Sequence, residues 1–173
     1  DKDVDKLREV EKLFDKRVET AIANVYNIEK AVQFADVLIG AVLIHGALTP
    51  KLVTEEMVKK MKPGSVIIDV SIDQGGCIET SRPTTIVNPV FVKHGVIHYC
   101  VPNIASNVAR TATYALTNVS LPYILEIANS GLEHVLRERP SFAKGVYTYL
   151  GYCTNQSIAE IFNLKYKKIE ELL

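Results

Sequence analysis

The sequence predicts an α/β fold organised on a doubly wound parallel sheet. Short, nearly continuous apolar runs, "DVLIGAV" at 36–42, "SVIIDV" at 65–70 and "GVIHYC" at 95–100, alternate with segments of helical periodicity. Strands buried in a parallel sheet read as unbroken apolar runs, and the strand–helix–strand order belongs to right-handed crossovers. Caps and breakers then fall at the junctions between the two kinds of segment.

The elements follow in order. Residues 5–15 place Leu7, Val10, Leu13 and Phe14 at helical spacing. Residues 18–23 read as a β-like run. Asn27 is a plausible N-cap for a helix with Ile28, Ala31, Val32 and Ala35 on one face. After the strand at 36–42, a loop with Gly46 and Pro50 leads to Thr54, whose hydroxyl can cap a helix carrying Glu55 and Glu56 in its first turn, where carboxylates complement the dipole. Pro63 and Gly64 end that helix, and a connection rich in Ser, Thr and Pro joins the strand at 65–70 to that at 95–100. A long helix at 106–131 contains Pro122, a natural kink, and stops at Gly131. Short helices are expected near 132–137 and 155–162. These last ~40 residues carry too little apolar material for a core of their own. The sequence opens on Asp1 rather than methionine, and almost directly on a helix, as a piece of a longer chain would.

Composition narrows the function. Hydrophobic residues make up 47% and charged ones 23%, with 20 basic and 20 acidic side chains interleaved along the chain. That balance lacks the basic stripe of a nucleic-acid binder and points to a small neutral or anionic ligand. No run approaches a membrane span, so the expected location is the cytoplasm. Cys77, Cys100 and Cys153 are odd in number and widely spaced, which suits buried reduced thiols. The histidines have no Cys or acid partners at metal spacing, so no metal site is expected. His98 alternates with Ile97 and Tyr99 and reads as structural; His45, in a loop at a strand end, reads as a loop residue with a catalytic role conceivable. Tyr147, Tyr149, Tyr152 and Tyr166 could form an interface.

In a parallel sheet, ligands bind beyond the carboxyl ends of the strands. Here those ends lead to Gly40 and Ala41, to Ser71, Ile72 and Asp73, and to Pro102 and Asn103, so a carboxylate and an amide can face one crevice beside small residues. Gly75 and Gly76 allow a sharp turn and a close approach to a ligand. Asp73 can serve as an acid or base in that crevice, or can cap the following turn through an Asx-type bond. Asp1 reads as a solvated terminal acid on pattern alone, or as the ribose-binding acid at the end of a second strand. Neither G-x-G-x-x-G nor a P-loop occurs in the sequence.

The stretches "ADVLIGAVLI", "KLVTEEMVKKMKPGSVIIDVSIDQGGCIETSRPTT", "HYCVPN" and "TYALTN...LPY" resemble the alanine dehydrogenase family over essentially the whole chain. The resemblance implies a Rossmann-like NAD-binding domain at 1–110, without its first strand and glycine turn, and at 111–173 an interdomain helix with the carboxyl-terminal part of a discontinuous substrate domain. It implies the cofactor NAD and the reversible deamination of L-alanine to pyruvate and ammonium. Asp1 would hold the adenosine ribose and Lys6 the adenine end. Ala41, Val42, Leu43, Val70, Ile72, Val101 and Ile104 would line the cofactor groove; Asp73 would be catalytic beside the nicotinamide, and Asn103 would serve cofactor and substrate pocket. The family's further Lys and His come from an upstream domain, so the chain alone should be inactive. Homo-oligomers, commonly hexamers, are implied. The pattern departs from the family's at Lys2, His45, Leu48, Pro102, Asn107 and Ala109. The related alpha subunit of proton-translocating nicotinamide nucleotide transhydrogenase is the second reading; a binding or assembly protein that kept the fold and lost the chemistry is the third.

Overall fold

The computed structural model describes residues 1–15, 17–44 and 46–173. By its contacts the chain forms two compact units, one of residues 1–43 and 48–103, the other of residues 44–47 and 104–173.

In the first unit, α1 (Val4–Leu13) starts where the Asp3 carboxylate accepts from the Asp5 and Lys6 amides. The β-like run expected at 18–23 forms no strand, with Val18 at a bend, but its end is tied to the start of the chain: Ala21 O accepts from the amino terminus of Asp1, and the Ala23 N–H donates to Asp1 O at 2.8 Å. That is parallel pairing of two segment ends. Helix α2 (Val25–Phe34) begins earlier than Asn27 suggested: Asn24 is the N-cap, accepting from the Asn27 N–H, and the Asn27 amide instead donates to Ile22 O. Both asparagines suit a cap; the three-residue reach from Asn24 to an unsatisfied first-turn N–H decides between them.

Strands β1 (Val37–Gly40), β2 (Val66–Asp69), β3 (Val90–Lys93) and β4 (Val96–Tyr99) form one sheet in the order β1-β2-β4-β3. The three strands expected from apolar runs are parallel neighbours, with Leu38 beside Ile67 and Ile67 beside His98. The connection between the second and third contains the antiparallel strand β3, which the sequence reading passed over. Its "VFVK" follows Pro89 and turns back through His94 and Gly95, both at positive φ. An antiparallel edge on a parallel sheet is common.

One face of the sheet carries the core. Val32 of α2, Met57 and Val58 of α3 (Glu55–Lys59), Met61, Ile67, Cys77, Ile78 and Val96 are buried together, with Ile28, Leu38 and Val42 packed against them. Such side chains contribute ~1.5–3 kcal/mol each when fully buried. Continuous apolar strands led us to expect cover on both faces, but among the described residues Val37 and Ile39, which point away from this core, are 55% and 61% exposed.

The second unit contains a 3₁₀ turn (Ile104–Val108) and α4 (Ala109–Ser130), which runs through Pro122 and ends at Gly131 with φ +80. Helices α5 (Leu132–Glu138) and α6 (Pro140–Ala143), a two-residue hairpin of β5 (Thr148–Tyr149) and β6 (Tyr152–Cys153), and α7 (Gln156–Phe162), capped by Asn155, complete it. The hairpin was not anticipated. Among the described residues no helix is long and apolar enough to cross a membrane.

Candidate functional site at the carboxyl ends of the strands

Because β1, β2 and β4 are parallel, their carboxyl ends open on one edge, and the segments leaving them build the site. Ala41, Val42 and Leu43 leave β1; a 3₁₀ turn, Val70–Gln74, leaves β2. Between them lies a cleft of about 260 Å³ lined by Ala41, Val42, Leu43, Val70, Ser71, Asp73 and Gln74. The Ser71 hydroxyl fastens its two walls, accepting from the Val42 N–H at 2.7 Å and donating to the Val42 carbonyl at 2.8 Å. Four of its lining residues are apolar; Ser71, Gln74 and the exposed Asp73 are its polar members.

Among the described residues the Asp73 carboxylate bonds across to the next crossover rather than to its own turn. Its oxygens accept the Asn103 N–H at 2.9 and 3.1 Å, joining the end of β2 to the segment leaving β4. Asn103 has φ +50, a conformation asparagine tolerates better than most residues. Acid and amide residue thus meet across adjacent crossovers. One N–H occupies only part of a carboxylate's acceptor capacity, so Asp73 can take a further donor from solvent or a ligand.

Beneath the turn sits a buried acid, Asp69, 2% exposed. It accepts from the Ser71, Cys77 and Ile78 amides, the shortest at 3.1 Å, so its charge is met by N–H dipoles. The glycines acquire their reason here. A Cβ on Gly76 (φ +76) would lie 2.7 Å from Asp69 Oδ2, and one on Gly40 would collide with the Cys77 sulfur. Gly75 (φ +91) closes the turn, and no atom lies nearer than 3.5 Å to the place of its Cβ. The close approach expected to serve a ligand therefore serves, at Gly76, the protein's own carboxylate. Outside the turn, the Lys51 ammonium donates to the carbonyls of Gly75, Gly76 and Ile78. Burial, with the Asp69 charge beside it, raises the Cys77 pKa, and burial raises that of Cys100, so neither is a reactive thiolate.

Of the groove residues expected from the sequence, Ala41, Val42, Leu43, Val70 and Asp73 line this cleft, and Asn103 joins it through its backbone. Ile72 and Val101 are each 4% exposed, so their side chains belong to the interior and only their main chain can face a ligand. Ile104 opens the second unit at 38% exposure. Asp1 and Lys6 are exposed and do not line the cleft; the Asp1 carboxylate accepts from the Asp3 N–H at 3.0 Å. His45 lies outside the described residues. His98 is fully buried: its Nδ1–H donates to Val96 O, Nε2 faces the Thr80 hydroxyl, and its ring stacks on Phe91. Burial lowers its pKa, keeping it neutral. Asp69 and Lys51 had no part in the sequence-based expectation, and Ser71 was placed at a strand end without a role; an acid closing an apolar run, with a glycine pair in the turn that follows, was the available signal for Asp69.

An open parallel sheet with an antiparallel edge strand and a ligand-sized cleft at its carboxyl edge defines the Rossmann-like class of α/β domain. The family model described as alanine dehydrogenase/PNT, C-terminal domain, matches residues 1–156, and the chain belongs to that family. It is 52% identical over 169 residues to an alanine dehydrogenase of Methanococcus maripaludis, covering 97% of this chain and 45% of that protein. It is 46% identical to an alanine dehydrogenase of Lysinibacillus sphaericus over 98% of this chain and 46% of that protein. Among solved structures, an L-alanine dehydrogenase superposes with a TM-score of 0.82 at 42% identity over 94% of this chain and 45% of that one. A transhydrogenase from Sinorhizobium meliloti superposes with a TM-score of 0.52 at 29% identity, over 62% of this chain and 32% of that one. The chain thus spans less than half the length of these relatives.

Proposed function

We propose that this chain supplies the cofactor groove and the acid Asp73 of an NAD-dependent alanine dehydrogenase, which converts L-alanine, NAD and water into pyruvate, ammonium and NADH with release of a proton. The observation that carries this reading is the cleft itself: a carboxylate bonded by the chain segment from the next strand lines it together with apolar residues that suit a flat ring. The similarity to named alanine dehydrogenases over nearly the whole chain supports it.

A nicotinamide ring, when bound, supplies a hydride acceptor. Ala41, Val42, Leu43 and Val70 would hold such a ring by apolar contact, and Ser71 keeps the two walls at a fixed separation. Asp73, as a carboxylate, would orient the substrate amine and the water that attacks the imine carbon, and its charge would balance that of an oxidised pyridine, while the proton lost from nitrogen passes on to solvent. Asn103, held by Asp73, would present its side chain to the substrate. Asp1 would bind the ribose hydroxyls and disfavour an additional phosphate there. We further propose residues 1–110 as part of a cofactor domain and 111–173 as an interdomain helix and part of a substrate domain, in a cytoplasmic homo-oligomer with Tyr147 and Tyr152 available for contacts.

The alternative, the soluble nicotinamide-binding part of a transhydrogenase, has weaker support in the lower identity and shorter superposition. The full-length protein decides between them. Alanine-dependent NADH formation, with NADP a much poorer acceptor, is the expected result; no alanine turnover rejects the reading.

A further inference from the structure

We propose that Lys51 and Asp69 are positioning residues that act on catalysis through Asp73 by gripping opposite ends of one peptide group. This rests on the catalytic reading of Asp73. The Gly76–Cys77 peptide offers its carbonyl to the Lys51 ammonium at 2.9 Å and its N–H to the Asp69 carboxylate at 3.1 Å. A cation and a buried anion are thereby coupled through a single amide, each aligning and polarising it. Lys51 is an exposed residue, and such a side chain ordinarily spends its ammonium on water. Here its donors meet the carbonyls of Gly75, Gly76 and Ile78, and an ammonium has three donors to give.

The grip determines where Asp73 sits. Asp69 bonds the Ser71 N–H at the start of the 3₁₀ turn and the Cys77 and Ile78 N–H groups where the chain returns. Asp73 is carried on the arc between these two clamped points, closed by the Gly75 N–H on Ile72 O and the Gly76 N–H on Ser71 O. The segment bearing Lys51 reinforces the arc, with the Thr49 N–H on Gln74 O and the Leu52 N–H on Cys77 O. With the ammonium removed, two glycine carbonyls at the turn lose their partner, and glycine, the least restrained residue, lets the arc relax. A displacement of about 1 Å at a reacting group can cost ~10²-fold in rate.

The test is a double-mutant cycle in the full-length protein with Lys51→Met, Asp73→Asn and the pair, reading kcat and KM for alanine and NAD beside the thermal midpoint. We expect Lys51→Met to lower kcat by about 10-fold or more with KM for NAD within about twofold, and Lys51→Gln, which retains a donor, to fall between. In the Asp73→Asn background Lys51→Met should change kcat by less than about twofold, because the residue through which it acts is gone. Asp69→Asn, nearly isosteric, should behave as Lys51→Met does, at a lower midpoint. An unchanged kcat in a folded Lys51→Met, or an equal loss in both backgrounds, overturns the inference while leaving Asp73 catalytic. A normal rate in Asp73→Asn overturns the functional reading and the inference with it.

Discussion

At Gly76, backbone conformation and side-chain space make the same demand, and the two can be separated. Its φ of +76 would strain any L side chain, and an added Cβ would sit 2.7 Å from an oxygen of the buried Asp69 carboxylate. Gly64, at φ +83, has no atom within 4 Å of where its Cβ would be. Left-handed backbone at a non-glycine residue costs ~1–3 kcal/mol. Gly64→Ala should therefore lose about that much, and Gly76→Ala about 2 kcal/mol more, because neither the carboxylate nor the three amides it holds can move freely. Denaturant midpoints of the two variants measure the difference; equal losses would show that the Asp69 cradle is soft. A reader of the sequence sees the glycine pair and infers a ligand close by. The reason for Gly76 lies instead in a residue seven positions earlier, and spacing alone does not show which oxygen occupies the space.

At the scale of elements, the parallel core was legible and its edge was not. Apolar runs announced β1, β2 and β4, even though Val37 and Ile39 on the second face of β1 are exposed. Strand β3 alternates exposed and half-buried positions at the sheet's rim and sits in a segment whose prolines suggested a loop. Its turn matters to α3: Glu55, the first residue of that helix, pairs with Lys93 Nζ at 2.9 Å and His94 Nε2 at 2.6 Å, across the β3–β4 turn. These bonds hold the Glu55 pKa at about 2, below its ordinary 4.5. A depressed acid pKa contributes stability that is complete above 4.5 and is lost as pH falls toward about 2, since the unfolded chain takes up the proton first. The stability advantage of the wild type over Glu55→Gln should therefore shrink as pH falls through that acid window. Urea titrations at a series of pH values report it, and an advantage independent of pH would dismiss the latch. High salt should weaken it too, because the pairs are partly exposed.

Across the whole molecule, much apolar surface stays exposed among the described residues. Helix α4 buries none of its residues, and Leu116, Val119, Ile124 and Leu125 are among its exposed side chains. Contiguous apolar exposure of this kind marks surfaces that contact other protein, and the chain spans 45% of the length of its Methanococcus relative. That residues at the carboxyl edge of the sheet would meet was readable from sequence, because strand ends bring distant residues together by a general rule: Asp73 and Asn103, 30 residues apart, meet through a hydrogen bond. The hub that holds them was unreadable, because Asp69 and Lys51 act through main-chain groups that carry no sequence signal. The rate of the hydride-transfer step in full-length Asp73→Asn, followed as NADH appearance in a single turnover with L-alanine, tests the account most directly. A fall of about 10² or more with NAD affinity unchanged is the predicted result; a near-normal rate, or a loss confined to NAD affinity, would contradict it.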